Sequence, residues 1–580
     1  MFRKNLTSAL CLLFITTFSW SQTIFKSTLP CHPERGYNIY GVVESDNLPL
    51  PHVAVSDGET ITYTDSLGRY YLNSSKRNGH VFVCTPGDYT CPSQDAMPQF
   101  WAQLTEKKEV AERHDFLLLK ASHSQFALLG LTDIHLANRY NDQMQFRKNV
   151  MPVIRKTISN IKKLYGKNIK VYTLNTGDSS FDTFWYSDGY TIDQFPATLK
   201  EVKYPTPMYC IMGNHDNDGA TPYGPDVDFQ AEKRYRATMG PTYYSFDIGS
   251  VHFLMLDNII YQNHPGQPIN VGIWGKKDYK IGFSDEQMEW IRKDLALQDK
   301  NNPLVVCVHS PIFLRKGLNS YRNNFSDYSQ HQEFVSLISK FSQTHILSGH
   351  THKCYTFRHD SLNIIDHNLS SICGSWWRTA FKGHDTFTMV RTPDSESLLY
   401  KGYDQFGPDG TPSGFMVFHI NGKDFSWRFQ SLSDPADRQF RCFDMNEVKK
   451  YAQNSEKYDT FIKSFPMRYD YRTVPAHQVW LNVWAWEKAW KVEVWENGTP
   501  VKVKHALLEN PQYTFTYDFF MSVDKGNLDC KDCKKAAHGQ SFLIQCSSPD
   551  SRLTIKVTDS FGHVYTQEVK RPLRFSLNQK

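Results

Sequence analysis

Five short apolar runs in the middle of the chain each end on a small polar cluster. The runs are Phe126–Leu131, Ile169–Leu174, Met208–Met212, Leu304–Val308 and His345–Leu347. They are near-continuously apolar and are separated by helix-like stretches. That pattern predicts strands of a largely buried sheet within an α/β core. The clusters that follow are Asp133-Ile134-His135, Gly177-Asp178, Gly213-Asn214-His215-Asp216, the single His309, and Gly349-His350-Thr351-His352. In such sheets the loops beyond the carboxyl ends of the strands share one crevice. Side chains dispersed between residues 133 and 352 are therefore expected to meet.

The flanks carry a different pattern. Ile39–Val43, His52–Val55, Thr60–Thr64, Tyr70–Leu72, His80–Cys84 and Asp115–Leu119 alternate in short pieces, with turns such as Ser66-Leu67-Gly68 between them. This predicts a small β-sandwich. After the strand pair Phe415–Ile420 and Phe425–Phe429, the chain passes Ser433-Asp434-Pro435. Val479–Trp486, Lys491–Glu496, Thr554–Asp559 and Val564–Val569 then alternate again, and Asn497-Gly498 is a strong hairpin signal. Inside the core, Ser284-Asp285-Glu286-Gln287 forms a capping box. It opens a helix that places Met288, Ile291 and Leu295 on one face. Tyr243–Phe246 and Val251–Leu256 read as a hairpin ending at Asp257-Asn258. The expected organisation is a leader over 1–21, an N-terminal β-sandwich over 22–122, an α/β core over 123–432, and a C-terminal β-rich domain over 433–580.

Composition narrows the class. A chain of 580 residues exceeds one ordinary core. With 22% charged and 40% hydrophobic residues it reads as globular. The net charge of +5 comes without long basic runs, so no nucleic-acid partner is expected. Arg3 and Lys4 precede the apolar stretch Leu10–Trp20, and Ser19-Trp20-Ser21 offers small residues for cleavage before Gln22. This is a signal-peptide pattern, implying an exported protein, periplasmic or secreted, with no transmembrane segment once the leader is removed. Eleven cysteines remain, an odd number; Cys84 and Cys91 flank a Pro-Gly turn at a spacing that permits a disulfide. Cys530, Cys533, His538 and Cys546 approach a zinc knuckle, but the last interval is too long. Trp480, Trp484, Trp486, Trp490 and Trp495 crowd the C-terminal region, either as packing or as a platform for glycan.

The polar clusters suit phosphoester hydrolysis. A phosphoester repels an attacking hydroxide. Two metal ions about 3.5–4 Å apart bind the ester oxygens and lower the pKa of a water between them. Imidazole and carboxylate ligands favour manganese, iron or zinc over calcium. Only two carboxylates, Asp133 and Asp178, stand among the candidate ligands, so two divalent ions would retain excess positive charge.

The ordered set D-x-H, G-D, G-N-H-[DE], H and G-H-x-H resembles the calcineurin-like metallophosphoesterase superfamily, over roughly residues 123–430. The resemblance implies a β-sandwich core flanked by helices, and it extends to exported three-domain members with N- and C-terminal β domains. It implies two divalent metal ions, with manganese favoured. Asp133, His135 and His352 would hold the first metal, and Asn214, His309 and His350 the second. Asp178 would bridge them. His215 would act beside the leaving group, with Asp216 holding its imidazole; Asn214 and His215 would also contact substrate. Purple acid phosphatases, on the same scaffold, place a tyrosine ligand three residues after the G-D aspartate. Phe181 stands there, which disfavours a ferric–tyrosinate site. Trp377 and Arg378 could wall the pocket. The implied activity is a phosphomonoesterase or phosphodiesterase on a small phosphorylated metabolite, using a metal-bridging hydroxide without a phospho-enzyme. The alternatives are a nucleotide or sugar-nucleotide pyrophosphatase, or a glycan- or envelope-binding protein with a secondary metal site.

Overall fold

The computed structural model describes residues 25–264, 276–359, 361–377, 405–524, 526 and 537–577. The predicted leader, Arg378, Cys530 and Cys533 lie outside the described residues.

Two facing sheets build the core. In chain order its strands are β1 (Gln125–Leu131), β2 (Lys170–Asn175), β3 (Met208–Cys210), β4 (Tyr244–Ile248), β5 (Val251–Met255), β6 (Ile259–His264), β7 (Lys276–Ile281), β8 (Leu304–Cys307), β9 (Thr344–Ser348), β10 (Tyr355–His359), β11 (Ile364–Asn368), β12 (Gly414–Asn421) and β13 (Asp424–Ser431). One sheet runs β3-β2-β1-β12-β13 and the other β4-β5-β8-β9-β11-β10; β6 and β7 form a separate hairpin. Strands β1, β2 and β3 are parallel, as are β5, β8, β9 and β11.

The continuous apolar runs have a simple cause. Phe126 and Leu128 point into the space between the sheets, where they join Phe253, Val306 and Ile346. Ala127, Leu129 and Leu131 point the other way, against Ile154, Ile158 and Ile161 of the helix α1 (Met151–Tyr165). Both faces of β1 are thus dry, and each fully buried Leu or Phe contributes about 1.5–3 kcal/mol. The capping box opens helix α2 (Asp285–Ala296): the Ser284 side chain accepts the Gln287 N–H, and Met288, Ile291 and Leu295 are buried.

Upstream, a five-stranded sheet built on Ile39–Ser45 faces a four-stranded one containing Ala54–Ser56 and His80–Val83. Its interior is continuous with that of the core, since Trp290 of α2 donates Nε1–H to Ser56 Oγ at 3.0 Å and packs on Phe82. Downstream are two four-stranded sheets: one holds Gln478–Val483, and the other holds Lys491–Glu496 as predicted and Val564–Lys570 where Val564–Val569 was predicted. The helices Met445–Asn454 and Tyr458–Ser464 were not expected there. They cover Trp480 and Phe515 with their own aromatic residues. Trp480, Trp484, Trp486 and Trp490 are all buried, as packing requires and a glycan platform does not.

The Cys84–Cys91 pairing is corrected. Both are free: Ser245 Oγ donates to Cys84 Sγ, and Cys91 Sγ sits 3.5 Å from the Tyr209 hydroxyl.

Candidate metal centre

The parallel strands β1, β2, β3, β8 and β9 release their clusters at one edge of the sandwich. The backbone there is unusual. Asp133, His135, Asp178, His350 and His352 all have φ between 50° and 65°. Non-glycine residues rarely adopt this left-handed region, and such strain concentrates at functional sites. The glycines of the motifs serve close approach. A Cβ on Gly213 would lie 2.1 Å from Asp178 Oδ1, and one on Gly349 would lie 1.8 Å from Thr132 Oγ1.

Two groups of donor atoms converge. In the first, His135 Nε2 lies 3.1 Å from His352 Nε2 and 3.4 Å from Asp133 Oδ1, and His352 Nε2 lies 3.2 Å from the same oxygen. In the second, His309 Nε2 lies 3.0 Å from Asn214 Oδ1 and 3.2 Å from Asp178 Oδ2. His350 joins His309 and Asp178 in that group. Asp178 Oδ2 is also 3.5 Å from His135 Nε2, so one carboxylate oxygen stands between the groups.

These atoms fit divalent metal ions. His309 donates Nδ1–H to the Thr176 carbonyl at 2.9 Å, and His352 donates Nδ1–H to the Gly374 carbonyl at 2.8 Å. In the neutral form of each ring Nε2 is then the lone pair, oriented by a hydrogen bond on the opposite nitrogen. Asp133 Oδ1 is buried without a hydrogen-bond partner among the described residues. Ligands about 2.0–2.2 Å from one ion lie roughly 3.0–3.5 Å from each other, the spacing seen here. Burial pushes the His135 and His350 imidazoles down, to about 4 and about 3. Burial also raises Asp178, but His309, His215 and His135 outweigh it and hold the carboxyl below its usual range. At His309 and His352 burial is outweighed by Asp178 and Asp133, which push His309 up to about 9 and His352 above its usual value, so buried imidazoles of both tendencies surround ionised carboxylates. Cys373 also approaches His135 and His352. Burial pushes its thiol well up, and Sγ–H faces the Gly374 carbonyl.

The surroundings correct two expectations. Asp216 does not hold His215. It is fully buried and accepts the N–H groups of Ser179, Ser180 and Gly213 and the Ser180 hydroxyl, stapling two loops together. The His215 imidazole is held by Asp182, with Nδ1 2.6 Å from Asp182 Oδ1. A second aspartate four residues after Asp178 was the available signal. Trp377 is not a pocket wall either; it is 3% exposed and donates Nε1–H to the Ile134 carbonyl. Its neighbour Trp376 is the half-buried ring at the centre. Trp376 lies 4.8 Å from both the His135 and His352 rings and stacks on Phe181 at 4.9 Å. Phe181 in turn lies 4.5 Å from the His215 ring.

Other residues at the site carry no sequence motif. Asn258 Oδ1 accepts the N–H groups of His309 and Ser310, fixing the turn that presents His309. Lys277 Nζ lies 2.5 Å from Asp182 Oδ2, and the Tyr279 hydroxyl lies 3.1 Å from His350 Nε2.

Residues 126–354 match the family model of calcineurin-like phosphoesterase. Residues 37–121 match the model for the N terminal of calcineurin-like phosphoesterase, and residues 397–565 the model for its C terminal. The chain belongs to the calcineurin-like phosphoesterase family. Calcineurin-like phosphoesterases use a dinuclear metal centre, and the two donor groups are the candidate for it. Among curated proteins, purple acid phosphatase 23 of Arabidopsis thaliana is 24% identical over 225 residues. That match covers 37% of this chain and 42% of the relative, so the chain spans less than half of its length. Among solved structures, GAP50, the anchor in the inner membrane complex of Plasmodium, aligns with a TM-score of 0.28 and 13% identity over 53% of this chain and 85% of its own. The 5'-nucleotidase of Candida albicans aligns with a TM-score of 0.28 and 11% identity, over 53% of this chain and 51% of its own. At these scores neither structure bears on the substrate of this calcineurin-like phosphoesterase.

Proposed function

We propose that this protein is an exported two-metal phosphoester hydrolase. The supporting observation is the pair of converging donor groups joined by Asp178 Oδ2, with His215 beside them. Asp133, His135 and His352 are assigned to one metal, Asn214, His309 and His350 to the other, and Asp178 to both. When bound, two divalent ions, manganese in our assignment with iron or zinc as alternatives, supply Lewis acidity and a water of lowered pKa. Export rests on the leader pattern at Leu10–Trp20.

The chain's own groups then divide the work. Asp182 accepts Nδ1–H of His215 and so turns Nε2 outward. Asn214 and His215 border the space where the phosphoryl group must lie. A water oxygen forms the new P–O bond. The ester P–O bond breaks, its electron pair stays on the leaving oxygen, and that oxygen takes the proton from His215 Nε2. The proton lost by the attacking water restores His215. The rings of Phe181 and Trp376 pack against the His135 imidazole, with centroids 5.1 and 4.8 Å from it.

The same arrangement serves a monoester, a diester or a pyrophosphate of a small metabolite, because the fold does not select among them. The burial of four of the five C-terminal tryptophans, with Trp495 half-buried, favours the hydrolase over a glycan-binding protein. The test is hydrolysis of a chromogenic phosphomonoester and a chromogenic phosphodiester by metal-stripped protein reloaded with manganese. Turnover of one well above the other is expected. Absence of turnover with two metals bound would overturn the hydrolase reading.

A further inference from the structure

The hairpin of β6 and β7 lies over the metal centre. Strand β7 alternates cleanly: Lys277 and Tyr279 are half-buried, while Asp278 and Lys280 are exposed. Side chains two residues apart on a strand point to the same face. Both inward residues meet the site. Lys277 Nζ lies 2.5 Å from Asp182 Oδ2 and 3.2 Å from His215 Nδ1. Tyr279 Oη lies 3.1 Å from His350 Nε2, with its ring edge-on to the imidazole.

We propose that β7 is a phosphoryl-positioning strand, resting on the hydrolase reading above. Lys277 is a positioning residue that holds Asp182, and through it His215. Tyr279 fixes His350 and donates its hydroxyl hydrogen to a phosphoryl oxygen.

The argument for Lys277 is one of partners. The Asp182 carboxylate is fully buried. Oδ1 faces His215, and Oδ2 faces only the ammonium of Lys277 among the described residues. Removing the ammonium leaves a buried carboxylate oxygen unpaired, which favours rearrangement of the group that orients His215. The argument for Tyr279 is one of hydrogen-bond inventory. With His350 Nδ1 as the lone pair toward the second donor group, its Nε2–H donates to the hydroxyl oxygen. The hydroxyl hydrogen is then spare, since no second partner of the Tyr279 hydroxyl is present among the described residues. A phosphoryl oxygen is the acceptor that chemistry supplies beside His350.

The two roles separate by leaving group. An alkoxide needs the His215 proton to depart, whereas nitrophenolate departs without it. The experiment measures kcat and KM of Lys277→Met, Tyr279→Phe and the outward control Lys280→Met on an alkyl phosphate and on p-nitrophenyl phosphate. Lys277→Met is expected to lose about 10²-fold in kcat on the alkyl ester and far less on the nitrophenyl ester. Lys277→Arg, which can still pair with Asp182, is expected to recover part of the alkyl activity. Tyr279→Phe is expected to lose roughly tenfold on both esters, the worth of one hydrogen bond in the transition state. Lys280→Met should match the parent. Equal losses on both esters for Lys277→Met would overturn its role, and unchanged turnover in Tyr279→Phe would overturn the other. A parent protein inactive on both esters fails the hydrolase reading itself, a result distinguishable from either.

Discussion

His215 Nδ1 lies 2.6 Å from Asp182 Oδ1, and the aspartate next to it in sequence, Asp216, turns away to accept backbone N–H groups. The two aspartates therefore fail differently. Asp182→Asn should lower kcat on alkyl phosphates by about 10²-fold while the protein stays folded. Asp216→Asn should remove accepting capacity from a carboxylate that serves three N–H groups and one hydroxyl, costing about 1–3 kcal/mol of stability. Steady-state kinetics and denaturant melts on both variants check this. A more severe loss of stability in Asp182→Asn than in Asp216→Asn would contradict it.

The rings at positions 376 and 377 separate in the same way. Trp377→Ala empties a fully packed site and should cost about 3–5 kcal/mol. Trp376→Ala should leave the melting temperature nearly unchanged and raise KM for aryl phosphates, since its half-buried ring stands beside His135 and Phe181. Thermal melts and substrate titration measure both.

Metal removal should destabilise the core. A ligand present at 100 times its Kd adds about 2.7 kcal/mol per site, so chelation should lower the melting temperature and manganese should restore it. Asp178→Asn should reduce the bound metal below two per chain, because this side chain adjoins both donor groups. His352→Ala should weaken one ion only. Metal analysis of dialysed protein counts the ions.

A pH dependence lies away from the centre, at His252. Its two ring nitrogens face Asp247 at 2.6 Å and Asp294 at 2.9 Å. Burial lowers its pKa, but the charges of Asp294 and Asp247 outweigh this and push it up to about 10, from 6.5. The folded pKa is the higher one. The contribution is therefore complete below pH 6.5 and is lost as pH rises through about 10. The fall should be on the order of a few kcal/mol. His252→Gln should abolish it, as equilibrium melts across that range would reveal.

Much of the core is legible in the sequence. The runs ending at Leu131, Leu174 and Val308 are strands because both of their faces are buried, and burial on both faces leaves a continuous apolar run. The capping box at Ser284 was legible because its hydrogen bond is local. The helices at Met445–Asn454 and Tyr458–Ser464 were hidden, since their aromatic residues serve a core assembled from distant strands.

By itself the sequence picked out the residues whose donor atoms converge in two groups, because imidazoles and carboxylates after buried strands have few other uses in that order. It could not decide which aspartate holds His215. Asp216 is adjacent in sequence, but the Gly213 turn directs its carboxylate toward the Ser179 and Ser180 backbone, and Asp182 reaches the imidazole from the neighbouring loop. Nor could it place Lys277, Tyr279 and Trp376 at the centre. They come from a hairpin and a turn with no ligand motif, and only the packing of those elements over the sheet edge sets their distance from His215, His350 and His135.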